Sequence, residues 1–225
     1  MPKNIIRPIR SYVLRQGRLT KHQSTAIKNL SSAYMISFES HFINFHSIFK
    51  DKNDLILEIG FGMGDSTAEI AEIHTDMNFL GIEVHSPGVG NLLNQINEKG
   101  INNLRIIQHD AVEVLDKMIP NNSLTGVHIF FPDPWHKKKH NKRRLIQQPF
   151  IEKIENKIKK GGYIHIATDW EDYATAILES FKPFKSFTLK TTDFFVKPDY
   201  RPYTKYENRG IRLGHRVWDI LFIRQ

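Results

Sequence analysis

From Asp54 onward the apolar positions follow two alternating rhythms. Short aliphatic runs over 55–59, 79–84, 104–108, 127–131 and 163–168 have the length and β-branched content of strands buried on both faces. Between them, segments 66–74, 90–99, 111–118, 145–158 and 173–181 repeat their apolar residues at helical spacing. Strands alternating with helices in this way predict βαβ units, an α/β fold and a parallel sheet covered on both faces. A last run, 217–223, has no helix after it and is expected as a further strand beside the others. No internal repeat interrupts the pattern.

Residues 1–30 are polar, Arg-rich and only weakly periodic, so residues 1–35 are expected to be a basic arm and 36–225 a single domain. A chain of 225 residues with 40% apolar side chains suffices for one core and not for several. It contains no Cys, which excludes disulfides, thiolate metal sites and cysteine nucleophiles. No stretch has the roughly 20 apolar residues of a membrane span, and the start leads into no signal core, so a cytoplasmic protein is expected. His136 and His140 lie four apart, but a prolyl turn precedes them and no carboxylate completes a ligand pattern; no metal is expected.

Charge adds a second layer. Residues 1–50 carry eight Lys/Arg against one acid, residues 51–100 two against nine, and residues 101–225 twenty-two against fourteen. An acidic segment between two basic ones suits a polyanion-binding surface around a pocket for something cationic or hydroxyl-rich, although basic surfaces also simply keep proteins soluble.

In open sheets of this class, ligands sit beyond the carboxyl ends of the strands. There the sequence places Gly60, Gly62 and Gly64, then Glu83, Asp110, the turn around Asp133, and Asp169. The Gly-Phe-Gly-Met-Gly spacing departs from the dinucleotide fingerprint, and Glu58, just before the first glycine, would repel a pyrophosphate and attract a cation. Glu83 is placed to accept hydrogen bonds from ribose hydroxyls, and Asp110 to hold an adenine amino group. Each acid alone is equally a solvated loop residue or a helix cap. Together with the glycine turn they resemble the S-adenosylmethionine site of the class I methyltransferases. That resemblance implies a Rossmann-like, mostly parallel seven-stranded sheet with helices on both faces.

The most specific stretch runs Phe130-Phe131-Pro132-Asp133-Pro134-Trp135-His136, followed by six Lys/Arg in the eight residues Lys137–Arg144. Two prolines fix the backbone around Asp133. The cationic run is either a solvated face or a phosphate grip at the pocket rim. Further on, 200–210 combines aromatics with cations, as a base-stacking loop or as cover for the sheet edge.

The Pro-Asp-Pro-Trp-His-Lys-Lys-Lys-His run, Leu57–Gly64, Ala167-Thr168-Asp169 and Thr204-Lys205-Tyr206-Glu207 together resemble the bacterial tRNA (guanine-N7)-methyltransferases, from about Ile36 to the C-terminus. The resemblance implies methyl transfer from S-adenosylmethionine to guanine N7 in tRNA, usually guanosine 46 of the variable loop. It implies Glu58, Glu83, Asp110 and Asp133 at the cofactor, with Asp133 also catalytic. It implies Lys137, Asp169, Thr204, Lys205, Tyr206 and Glu207 at the substrate, and Lys139, His140, Asn141, Lys142, Arg143 and Arg144 at the RNA. The expected partner is tRNA, with no obligate protein partner, for a monomer or homodimer. Asp169 is alternatively a cap for the helix that follows it.

Overall fold

Seven strands, β1 (Asp54–Ile59), β2 (Met77–Glu83), β3 (Leu104–Gln108), β4 (Leu124–Phe130), β5 (Ile158–Thr168), β6 (Phe187–Leu189) and β7 (Trp218–Arg224), form one sheet in the order β3-β2-β1-β4-β5-β7-β6. Strands β1 to β5 are parallel, and β7 runs antiparallel between β5 and β6. The helices are α1 (Lys21–Tyr34), α2 (Phe45–Phe49), α3 (Asp65–Ile73), α4 (Ser86–Lys99), α5 (Ala111–Lys117), α6 (Gln148–Glu155), α7 (Glu171–Phe181) and α8 (Lys205–Arg212), with a 3-10 turn over Lys138–Arg143. This computed structural model describes residues 10–13, 17–190, 194 and 196–225, with Lys205 and Tyr206 described by backbone alone. The Rossmann-like arrangement expected from the sequence is present.

The mostly aliphatic strand centres explain the core. Leu57, Leu80, Ile106, Val127 and Ile164 are fully buried in the middle of their strands, because helices cover both faces and no side of the sheet needs to be polar. Apolar residues divide accordingly into two clusters. One lies under α5, α6 and α7, built on Val114, Ile151 and Ile177; the other lies under α3 and α4, built on Ala68, Leu92 and Leu93.

Three boundaries differ from expectation for identifiable reasons. Strand β5 begins at Ile158 rather than Tyr163, because Lys159-Lys160-Gly161-Gly162 looks like a turn yet continues pairing past a register shift near Leu124/Gly126. The helix expected over 145–158 is shortened to α6, which Pro149 starts and the early strand ends. Helix α4 starts at Ser86, not Gly90; Gly88 and Gly90 are packing sites there. A Cβ on Gly88 would sit 1.9 Å from the Gly62 carbonyl oxygen, and one on Gly90 2.7 Å from that of Gln23.

The Gly90 contact also corrects the arm expected over 1–35. Thr20 and Gln23 form a reciprocal capping box that starts α1, and α1 lies along α4 with Gln23 and Ala26 buried. Residues 21–34 are therefore part of the folded body; residues 1–9 and 14–16 lie outside the described ones. Among the described residues no helix is long and apolar enough to cross a membrane.

Substituting Gly90→Ala should wedge α1 away from α4. The expected loss is about 1–3 kcal/mol in a denaturant titration, with faster amide exchange confined to 21–34.

Candidate active site

The sheet order reverses between β1 and β4, so the chain leaves these neighbouring strands in opposite lateral directions and opens a crevice at their carboxyl ends. A cavity of about 330 Å³ occupies this edge, lined by Gly60, Gly62, Glu83, His85, Phe131 and Asp133 among others. Gly60, Gly62 and Gly64 have φ of 76°, 58° and 77°, the left-handed region that glycine enters without steric penalty. A Cβ on Gly60 or Gly62 would meet nothing within 4 Å, so the turn leaves a cradle open to a ligand. Gly64 ends the turn as the N-cap of α3, its own Cβ position filled by Leu92.

The acids expected around this turn take distinct places. Glu83 lines the cavity; its carboxylate accepts from the Gly62 amide at 2.9 Å and from the amides of Val84 and His85 at 2.6 and 3.1 Å. Asp133 lines the opposite wall, where burial among its neighbours pushes its pKa up while His85, Arg143 and His136 act against that shift. Asp110 opens on an adjoining pocket of about 280 Å³ that shares Tyr12, Val84, His85 and His109 with the first. It is also the N-cap of α5, accepting from Val112 at 2.8 Å, so the capping and pocket alternatives hold together. Glu58 lies beneath the turn, 6% exposed, and burial pushes its pKa up to about 7, helped by the nearby Glu83 charge and opposed by Thr67.

The segment after β4 is strained as well as fixed. Phe131 and Trp135 have φ of 53° and 46°, outliers for aromatic residues, on either side of Pro132-Asp133-Pro134. Surrounding contacts hold this geometry. The Phe131 amide donates to Ala167 at 2.8 Å, the Trp135 indole N–H donates to Ser11 at 3.0 Å, and Arg144 Nε donates to Pro134 at 2.8 Å.

That last contact overturns one expectation. Arg144, expected at the RNA, is 6% exposed; it pairs with Asp172 at 2.5 Å and lies 4.8 Å over the Tyr173 ring. Arg143 is half-buried, stacked 3.7 Å over Trp135 and donating to the carbonyls of Arg10 and Tyr12 at 3.0 and 2.8 Å. Both guanidiniums thus organise the loop. Lys137, Lys138, Lys139 and Lys142 are the exposed cations of the run, with His140 and Asn141 half-buried between them. Residues 10–13 cross above the crevice: Arg10 pairs with Asp110 and, at 2.8 Å, with Glu113, and Tyr12 forms part of the cavity wall. Charge composition alone gave no sign of this crossing.

A second correction concerns Thr204–Glu207. Thr204 caps α8 and Glu207 closes the capping box, but both Glu207 oxygens are taken by Arg201 at 2.7 and 2.8 Å. Glu207 is 3% exposed and therefore anchors the loop rather than facing a ligand. Arg201 also grips Asp219 on β7 at 2.7 and 2.9 Å, and Asp219 in turn accepts from His165 at 2.8 Å. Burial alone would raise the Asp219 pKa; His165 and Arg201 outweigh it and hold the group below the usual carboxylate range. Burial keeps His165 below its ordinary value despite Asp219, so its Nε2–H donates to Asp219 and its Nδ1 accepts from the Tyr200 hydroxyl at 2.7 Å. The signal for this network was present in the sequence as Arg201 and Glu207 six apart, but its partner on β7 was not. The side chains of Lys205 and Tyr206 lie outside the described residues. Asp169 is half-buried after β5, one residue before the α7 N-cap, Trp170.

Comparison with known proteins agrees with this geometry. Residues 52–220 match a family described as putative methyltransferase. A tRNA (guanine-N(7)-)-methyltransferase from Methylobacillus flagellatus is 54% identical over 97% of this chain and 92% of its own length. One from Chromobacterium violaceum is 54% identical over 97% of each. The chain belongs to the tRNA (guanine-N(7)-)-methyltransferase family. Among solved structures, the 16S rRNA methyltransferase KamB superposes with a TM-score of 0.60 at 13% identity over 82% of this chain and 95% of that one. An rRNA methylase from Streptococcus thermophilus gives 0.50 at 13%, covering 80% of this chain and 93% of its own. At such identity these two show that the methyltransferase fold is shared.

Two outcomes follow for this family member. The folded-state pKa of Glu58 is raised above its unfolded value, so the fold binds a proton more tightly there, and stability without ligand should fall as pH rises from about 4.5 to 7. The full effect is about 3 kcal/mol; Glu58→Gln should flatten that part of a stability–pH profile. Arg201→Met leaves the buried Glu207 and Asp219 carboxylates without the guanidinium that neutralises them and should cost about 3–5 kcal/mol in denaturant unfolding.

Proposed function

We propose that this protein transfers a methyl group from S-adenosylmethionine to N7 of guanine in tRNA, at guanosine 46 of the variable loop. The observation that carries the reading is Asp133, held on a strained, doubly prolyl turn in the wall of the same cavity as the open glycine cradle, with exposed lysines directly behind it. The names of the 54% identical relatives support the substrate atom and the nucleic acid.

The residues present fit such a cofactor. The Gly60/Gly62 backbone leaves room for close approach, and Glu58 and Glu83 supply negative charge for an ammonium and a sulfonium. Glu83 would hold the ribose hydroxyls and Asp110 the adenine edge. S-adenosylmethionine supplies a methyl on a cationic sulfur and leaves as a neutral thioether that keeps the electron pair of the broken bond. Guanine N7 attacks with an in-plane lone pair, so no proton has to leave first and positioning contributes most of the rate. Positive charge then develops on the purine, and the fixed Asp133 carboxylate stabilises it electrostatically while accepting from the guanine edge. Lys137 and Asp169 would orient the nucleotide, with Thr204 holding α8 beside it. Lys139, His140, Asn141 and Lys142 would contact the RNA backbone, where exposed ammonium groups act as point charges on phosphate.

Incubation of the protein with unmodified tRNA and isotopically labelled cofactor, followed by nuclease digestion and mass identification, should yield 7-methylguanosine at position 46. A different methylated nucleoside would overturn the substrate atom and leave the cofactor assignment standing. Asp133→Asn should lower the single-turnover rate by at least a hundredfold while S-adenosylhomocysteine binds unchanged. Near wild-type turnover at saturating tRNA would remove Asp133 from its role.

A further inference from the structure

Strands β4 and β5 are parallel neighbours in a register that pairs Phe130 with Ala167. Three residues beyond each lie Asp133 and Trp170, so the chain brings a carboxylate and an indole to the same edge of the sheet. The Trp170 backbone is tied down: its amide donates to the Thr168 hydroxyl at 3.2 Å, and its carbonyl accepts from Tyr173 and Ala174 at 3.0 and 2.9 Å. Its side chain, in contrast, remains 38% exposed. The ring leans on His136 with centroids 4.9 Å apart and planes at 51°, and His136 is close enough to Asp133 to act against the rise that burial causes in its pKa. The other two tryptophans are committed elsewhere. Trp135 carries Arg143 on its face, and Trp218 is buried at the β7 start.

An exposed indole at the sheet edge that also carries Asp133, backed by a second ring, with Lys137–Lys139 leading away from that ring, has the makeup of a nucleobase platform: an aromatic face for the base and cations for the flanking phosphates. We propose that the target guanine stacks on Trp170, supported by His136, and that the indole face stabilises the positive charge the purine acquires as N7 is methylated. This rests on the guanine-N7 reading above and adds to it a residue with a chemical reason. Stacking fixes the plane of the base so that the N7 lone pair points at the methyl carbon. Because the N–C bond forms while the S–C electron pair stays on sulfur, one positive charge passes from sulfur to purine, and an indole attracts a cation more strongly than it does a neutral ring. Trp170 therefore favours the product and the late transition state over the ground state, which simple packing would not do.

The test compares wild type with Trp170→Phe and Trp170→Leu. Affinity is measured for unmodified tRNA and for the same tRNA already methylated at N7, together with single-turnover rate and S-adenosylhomocysteine binding. Wild type should bind the methylated tRNA several-fold more tightly. Trp170→Leu should erase that preference and slow the single-turnover rate by about tenfold or more, with S-adenosylhomocysteine affinity unchanged. Trp170→Phe should fall between them. In wild type, 7-methylguanosine 5′-monophosphate should quench tryptophan fluorescence more than guanosine 5′-monophosphate, and Trp170→Phe should lose most of that difference. A Trp170→Leu protein that keeps the product preference overturns the proposal, as does one that loses cofactor binding in parallel with rate. If wild type methylates an atom other than N7, the functional reading fails first; if it methylates N7 and is insensitive to Trp170, only this inference fails.

Discussion

The parallel register of β1, β4 and β5 is the constraint on which the site depends. Backbone hydrogen bonding aligns Glu58 with His128 and Phe130 with Ala167, so three consecutive strands end at one edge. Whatever follows each strand is thereby delivered to one edge of the sheet: the glycine turn after β1 and the Pro-Asp-Pro turn after β4, which line the cavity, and the Asp169-Trp170 pair after β5. The core exists to hold that register. Its strand interiors are aliphatic on both faces, and a slip of one residue would invert every one of those side chains.

Above this rigid base, the working loops are held by polar contacts rather than by apolar burial. Arg144 fixes the Pro134 carbonyl, Arg143 ties the Trp135 ring to residues 10–12, and Arg201 joins α8 to β7 through two carboxylates. A planar guanidinium is suited to each task because it donates in fixed directions and stacks on aromatic faces at the same time. The net basic charge is thus divided between two jobs. Exposed lysines provide a field for a polyanion, while buried and half-buried arginines serve as structural braces.

Strain at Phe131 and Trp135 fits the same division. Positive φ at two aromatic residues costs energy that the surrounding contacts must offset, and the turn they hold keeps the Asp133 backbone in the cavity wall. The buried Glu58 follows similar logic. Its raised pKa marks a carboxyl group placed where burial and the neighbouring Glu83 disfavour charge.

The sequence by itself determined the α/β class, every strand of the sheet except the three-residue β6, and the chain positions of Gly60–Gly64, Glu83 and Asp133. These are legible because strand and helix periodicities are local and because glycine and proline constrain their own backbone. What only the tertiary structure decided is how each charged residue is used. Arg144 and Lys142 are indistinguishable in a basic run, yet one is buried on Tyr173 and Asp172 and the other is exposed. Glu207 looks like a ligand residue until Arg201, itself held by Asp219 on the antiparallel β7, takes both its oxygens. Gly90 looks like the start of a helix until α1 lies against it. The deciding partners Asp172, Asp219 and Gln23 are distant in sequence, and a pairing set by strand register and helix contact leaves no trace in local spacing.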